Sequence, residues 1–249
     1  SDPRHPLYTD WIPAYSAQLL AAEKQKSTLN NTNGPPDEPG MDEFVEPLIQ
    51  AKWGQGIPWN KFCPADSEGN HAPVGCVAVA LAQIMKTWNW PQKGSGQNSY
   101  IPSSHREYGK VEALFDTTYY EWDKMNDKTP VGASALILFH AGVATNMNYA
   151  PNESGANSSV YAATALIDHF LYNPDMVFRE KGSFSYGMWA QLLRQDIVNG
   201  RPVLYRGTDP HGGLGHAFNI DGFRDEYFFH FHWGWNGWGN GYYRLEAMA

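Results

Sequence analysis

"GCVAVALAQIMKTWNWP", residues 75–91, is the stretch on which the fold turns. Val77, Ala80, Leu81, Ile84, Met85 and Trp88 recur at helical spacing and give one continuous apolar face. The segment therefore reads as a buried helix. Pro91 ends it, because proline lacks the N–H that a continuing helix needs. Cys76 opens it, directly after Gly75. A thiol there meets unpaired backbone N–H groups and the positive end of the helix dipole, and both favour the nucleophilic thiolate. Gly75 lets other backbone approach closely. A small buried residue would fit the same position, so a nucleophile here needs a base from elsewhere in the chain.

Working outward, residues 131–147, 158–172 and 186–198 are predicted helices. Ser158 and Ser159 are the expected caps of the second, and Trp189, Leu192, Leu193 and Ile197 form the inward face of the third. After Gly200 the period becomes alternating. "PVLYR" (202–206), "HAFNIDGF" (216–223), "EYFFHFHW" (226–233) and "GYYRL" (241–245) read as antiparallel strands joined by turns. Helices first and strands last predict an α+β domain with a cleft between a helical part and a sheet part. Upstream, residues 8–24 read as a helix capped by Asp10. "STLNNTNGPPDEPGMDE" (27–43) reads as a linker or exposed loop. The expected division is 1–43, a helix and linker, and 44–249, the compact domain. There is no internal repeat.

The 249 residues suffice for one large domain or two modest ones, and the formal net charge is −8. No basic stripe exists, which argues against nucleic acid. Lys and Arg do not cluster, which argues against an anionic membrane surface. No apolar run reaches the roughly 18 residues of a spanning helix. "SDPRHPLYTD" at the start has no apolar core of a signal peptide, so a processed form that has lost its export signal is expected. Two cysteines, Cys63 and Cys76, are too few for a disulfide framework. Cys63, in "FCP", has no base or helix start nearby and reads as structural.

His216 is the leading candidate for the base. Gly212, Gly213 and Gly215 before it leave room for a substrate backbone, and it alternates with Phe218 and Ile220 along an apolar strand face. A hydrogen-bonded core histidine would fit the same pattern. An early Cys at a helix start and a late His at a strand start follow the chain order of papain-like enzymes. Two other readings stay open. His230 and His232 share a strand face, as a His-ligated metal hydrolase would need. No carboxylate or cysteine stands at motif spacing, so no metal or other cofactor is assigned. Trp233, Trp235 and Trp238 would suit a non-catalytic, aromatic-rich carbohydrate-binding module.

"GCVAVALAQIMKTWNWPQKG" (75–94), "MNYAPNESGANSS" (147–159), "GGLGHAFNIDGF" (212–223) and "FHWGWNGWGNGYYRL" (231–245) resemble the streptopain family of papain-like cysteine peptidases. These are secreted bacterial enzymes made as zymogens. The resemblance covers roughly residues 45–245 and implies a papain-like fold and peptide or protein substrates. It makes Cys76 the nucleophile and His216 the general base. It suggests Asn70, six residues before Cys76, as an oxyanion donor alongside the Cys76 N–H. Trp233 resembles the tryptophan that shields the catalytic His. Ser154, Gly155 and Gly215 would line the substrate cleft, with an apolar pocket for the residue two before the scissile bond (P2). Residues 1 to about 40 resemble the junction of propeptide and mature enzyme, so the chain's own propeptide is a candidate inhibitor; an ordinary N-terminal helix packed on the domain reads equally well. The sequence departs from the family in two places. His232 stands where the family commonly has the asparagine that orients the catalytic His. If it takes that role, its protonation in mildly acidic solution would remove the accepted bond and cut activity. The chain also stops at Ala249, where the family continues to a last strand.

Overall fold

Buried on nearly every side rather than along one stripe, the helix opened by Cys76 is the axis of the computed structural model. It spans Cys76–Trp88 (α1), and Val77 through Met85 are all buried. Ala78, Ala80 and Ala82 keep its flanks thin, so neighbouring elements close on it from several directions. Trp88, which the spacing puts on the inner face, is 49% exposed, because the last turn has left the core. Asn89 adopts the left-handed conformation (φ 47°, ψ 46°) and ends the helix two residues before Pro91.

The structure describes residues 44–208 and 215–245. The helix read at 8–24 with its cap Asp10, the linker, and Gly212 and Gly213 lie outside them. Three further helices stand where the periodicity puts them: Gly132–Ala144 (α2), Ser158–Phe170 (α3) and Tyr186–Val198 (α4). The expected caps of α3 are corrected. Asn157 occupies its N-cap position and makes no side-chain capping bond, so Ser158 and Ser159 already lie inside the helix. At α4, the Ser185 hydroxyl accepts the Met188 N–H.

The main sheet is antiparallel and five-stranded. Val203–Gly207 (β4), His216–Arg224 (β5), Phe228–His232 (β6) and Gly241–Arg244 (β7) match the four alternating segments. Phe44–Val45 (β1) completes the sheet by pairing with Arg224 and Phe223 of β5. β4 pairs with the start of the same strand, from Gly207↔His216 to Val203↔Ile220. β6 takes the opposite edge of β5. A separate two-stranded sheet, Gln97–Tyr100 (β2) with Val111–Leu114 (β3), follows α1. These four-residue strands are too short for a period to show in the sequence.

Two apolar clusters match the expected halves. One joins α1, α2 and α3 through Leu81, Met85, Ile137, Leu138, Leu166 and Phe170. The other packs Trp189, Leu193 and Ile197 of α4 against Phe218, Ile220, Phe231 and Trp233. The sheet thus has α4 on one face. On the other face Asn219 donates to the Ala80 carbonyl of α1 at 3.0 Å and to the Gln83 side chain at 3.2 Å. All nine residues of β5 are buried but Arg224, because the strand is covered on both faces. The register shifts between Ile220 and Gly222, which makes Asp221 an extra residue on β5.

Candidate active site

Gly75 sets up the thiol. Its backbone (φ 89°, ψ 140°) lies in a region that only glycine enters cheaply. A side-chain carbon there would come within 2.6 Å of the Met147 thioether. With no side chain at 75, the chain turns sharply into α1 and delivers Cys76 half-buried at its first position. The Ala217 backbone N–H across the cleft and the N–H groups of Val77 and Cys76 lie near enough to the sulfur to act on its charge. These donors favour thiolate, as the helix start predicts. Burial acts in the opposite direction and dominates, and the Glu153 carboxylate adds to it, so the Cys76 thiol is pushed above its ordinary value. The donors at the helix terminus do not offset the burial of this cysteine.

His216 opens β5 beside that sulfur, since its neighbour Ala217 supplies the N–H just described. Its Nε2 lies 2.9 Å from the Trp233 carbonyl oxygen. A carbonyl only accepts, so Nε2 carries the proton and Nδ1 is the basic nitrogen of the neutral ring. Trp235 stacks on the imidazole at 4.7 Å and 30°, and Trp233 lies farther off at 6.0 Å and 24°. The shielding expected of Trp233 is therefore provided more closely by Trp235, and Trp233 contributes its backbone. Both indoles are buried.

Cys76 and His216 line one cavity of about 370 Å³. Ser154, Gly155 and Gly215 line it too, together with Glu153, Ala156, Arg206 and Ala217. Gly155 is held by a backbone pair with Asn148 (2.8 and 3.3 Å). Ser154 is buried, and its hydroxyl accepts the Ala150 N–H at 3.3 Å. Asn70 is not among the lining residues. Its side-chain amide donates to Asp66 at 3.1 Å in an exposed turn, and its backbone N–H goes to the same carboxylate. The expected oxyanion amide is thus engaged elsewhere, and the Cys76 N–H is the donor that stands at the sulfur.

His232 is corrected as well. Cross-strand partners share a sheet face, and His232 pairs with Asn219, whose side chain points to α1. His216 and Phe218 face the other way, toward α4. His232 is buried with neither ring nitrogen hydrogen-bonded. Burial foremost, with the neighbouring His230 and Lys52 adding to it, lowers its pKa to about 4 against the pull of Asp221. It neither reaches the His216 ring nor titrates in mildly acidic solution.

His230 is bonded to Asp221 at 2.6 Å, and the other Asp221 oxygen accepts the Ile49 N–H at 2.8 Å. Among the described residues no three His, Cys, Asp or Glu gather as metal ligands. Of the three tryptophans considered as a sugar platform, only Trp238 is exposed, at 45%. Cys63 is buried and its thiol is pushed up to about 12, which suits a structural role. The Ala217 N–H, the Trp233 carbonyl, Glu153 and Arg206 were not singled out by the sequence, and Trp235 was read only as part of a sugar platform. Two of these are backbone groups, which leave no mark in a sequence.

A helix that presents a cysteine to an antiparallel sheet carrying the histidine defines the papain-like cysteine protease fold. Solved structures of that kind match the chain. The active interpain A cysteine protease of Prevotella intermedia superimposes with a TM-score of 0.75 at 30% identity, covering 84% of this chain and 89% of that one. A prointerpain A fragment gives 0.76 at 28% identity, covering 96% and 79%. Residues 53–243 match the Peptidase C10 family, and the chain belongs to that family. Streptopain of Streptococcus pyogenes serotype M1 is 32% identical over 264 residues, covering 95% of this chain and 64% of its own length. The thiol protease/hemagglutinin PrtT of Porphyromonas gingivalis is 31% identical over 254 residues, covering 96% of this chain. The chain spans only 29% of PrtT, so in both relatives it matches less than two thirds of the protein.

Proposed function

We propose that this chain is a cysteine peptidase in which Cys76 is the nucleophile and His216 the general base. The observation that carries the reading is the shared cavity of Cys76 and His216, with Nε2 tied to a carbonyl so that Nδ1 is the basic nitrogen of the ring. Nδ1 removes the thiol proton, and the imidazolium so formed is the cation that the desolvated thiolate needs. The sulfur attacks the peptide carbonyl, and the Cys76 N–H stabilises the developing oxyanion. His216 returns the proton to the leaving amine. Water, deprotonated by the same nitrogen, then hydrolyses the thioester.

Peptide and protein substrates follow from this chemistry. Ala156, Gly215 and Ala217 give the cavity small walls that suit an apolar P2 side chain, the preference the sequence resemblance implies. A pro-form is supported by the coverage of the two interpain structures. The pro-fragment aligns with about thirty more residues of this chain than the active enzyme does, close to the length of 1–43. We read that stretch as a propeptide remnant and 44–249 as the peptidase domain. Export from a bacterial cell fits the bacterial sources of the relatives. None of the described helices is long and apolar enough to cross a membrane.

The deciding experiment is stoichiometric labelling with a thiol-directed epoxide, followed by peptide mapping. Label should fall on Cys76, and Cys76→Ala should lose peptide cleavage while Cys63→Ser retains most of it. Label mainly on Cys63, or equal loss from both substitutions, would overturn the assignment. Loss of activity to a chelator, which a thiol peptidase ignores, would return the reading to a metal enzyme.

A further inference from the structure

Two opposite charges line the cavity that holds Cys76 and His216: Glu153 from the loop before α3 and Arg206 from β4. They form no ion pair with each other or with any other described residue. Arg206 is exposed, and its guanidinium donates to the Ser159 hydroxyl at 3.4 Å. Water screens most of its charge. Glu153 is half-buried, and its carboxylate has no hydrogen-bond or ion-pair partner among the described residues. A partly desolvated carboxylate left unpaired is costly, and a bound cation would offset that cost. Its field already reaches the Cys76 sulfur, so Glu153 stands at the reacting end of the cavity.

We propose that Glu153 is a specificity-determining residue that selects a cationic side chain, Lys or Arg, on the acyl side of the scissile bond. The inference rests on the peptidase reading above and adds a charged seat beside the expected apolar P2 seat. When the acyl carbon lies on Sγ, the side chains of the two preceding residues are the ones that enter this cavity. Arg206, on the wall beside Gly215, repels a cation, which leaves Glu153 as its seat among the described residues that line the cavity. A flexible lysine or arginine can lay its methylenes along Ala156 and Ala217 and carry its charge to the carboxylate. An apolar stem and a cationic head then satisfy both parts of the wall.

Matched peptides carrying Lys, Arg, Gln, Met or Glu at each of the two positions before the cut test this. With the active enzyme, kcat/KM for the best cationic peptide should exceed that for its Gln or Met match by about ten-fold, the effect of one partly screened ion pair. Glu153→Gln should bring that ratio close to one, Glu153→Asp should keep part of it, and Glu153→Lys should turn the preference toward Glu. Each ratio is internal to one protein, so a general loss of activity does not mimic it. A wild-type ratio of one or below at both positions, or an unchanged ratio in Glu153→Gln, would overturn the proposal. Binding of the same fluorescent peptides to Cys76→Ala separates the two layers of the argument. Charge-selective binding without any cleavage by wild type would sink the peptidase reading and leave the role of Glu153 standing. Cleavage without charge selectivity would do the reverse.

Discussion

The two faces of the central sheet each hold a histidine, and the two rings have opposite circumstances. On the α4 face, His216 is stacked on Trp235 and bonded to a carbonyl, and it opens into a cavity with a thiol. On the α1 face, His232 is sealed among Asp221, His230 and Asn219 with no hydrogen bond of its own. One ring is oriented and lines a cavity; the other is enclosed and held neutral. The contrast teaches that separation along the chain does not decide which residues cooperate. Sixteen residues connect the two histidines, but strand register puts a layer of backbone between them.

The largest expected effect breaks this comparison outright. His216→Ala should lower kcat/KM on a peptide substrate by at least about a thousand-fold, the scale on which members of a nucleophile–base unit fail. His232→Asn should stay within a few-fold of wild type. Comparable losses from both substitutions would mean that the faces are not separate. Next in size is the polar layer itself. Asp221 is fully buried and satisfies both His230 and the Ile49 N–H. Asp221→Ala should cost about 2–5 kcal/mol, because it leaves the buried His230 ring and the Ile49 N–H without their shared acceptor. The midpoint of urea unfolding measures this; a shift worth under about 1 kcal/mol would show that the layer contributes little.

The smallest effect depends on pH. His232 has a folded pKa of about 4, below the unfolded value of about 6.5. Between these values the unfolded chain binds more protons than the folded one. Stability is therefore complete above about pH 6.5 and declines as pH falls toward 4, by up to about 3 kcal/mol from this ring. His140, buried against Tyr120 and also lowered to about 4, contributes in the same direction. His232→Asn should flatten the acid side of a plot of unfolding free energy against pH. An unchanged slope between pH 6.5 and 4 would place the sensitivity elsewhere. The expected acid loss thus moves from catalysis to the fold.

Much of the fold was legible because its signals are local. The apolar positions of α1, the helices after it and the change to alternation at Gly200 each sit within one window of sequence. That Cys76 and His216 line one cleft was legible because both stand at element starts. Asn70 was misread although the answer was local: "DSEGN" (66–70) folds into a turn in which Asp66 captures the amide four residues on. The position of His232 could not be read locally, because its face depends on pairing with Asn219, thirteen residues away. The width of the buried surface on α1 was also hidden. A one-sided period looks the same whether the remaining positions face water or, as Ala78 and Ala82 do, other protein.

The bond from His216 Nε2 to the Trp233 oxygen has a consequence for how this chain can vary through time. An orienting group carried on a side chain is lost by a single codon change. A peptide carbonyl persists under every substitution at its own position except one that moves the backbone. The side chains of residues 232 and 233 are thereby released from supplying that acceptor. The tautomer of the imidazole is written into the path of the main chain, where point mutation has little access to it.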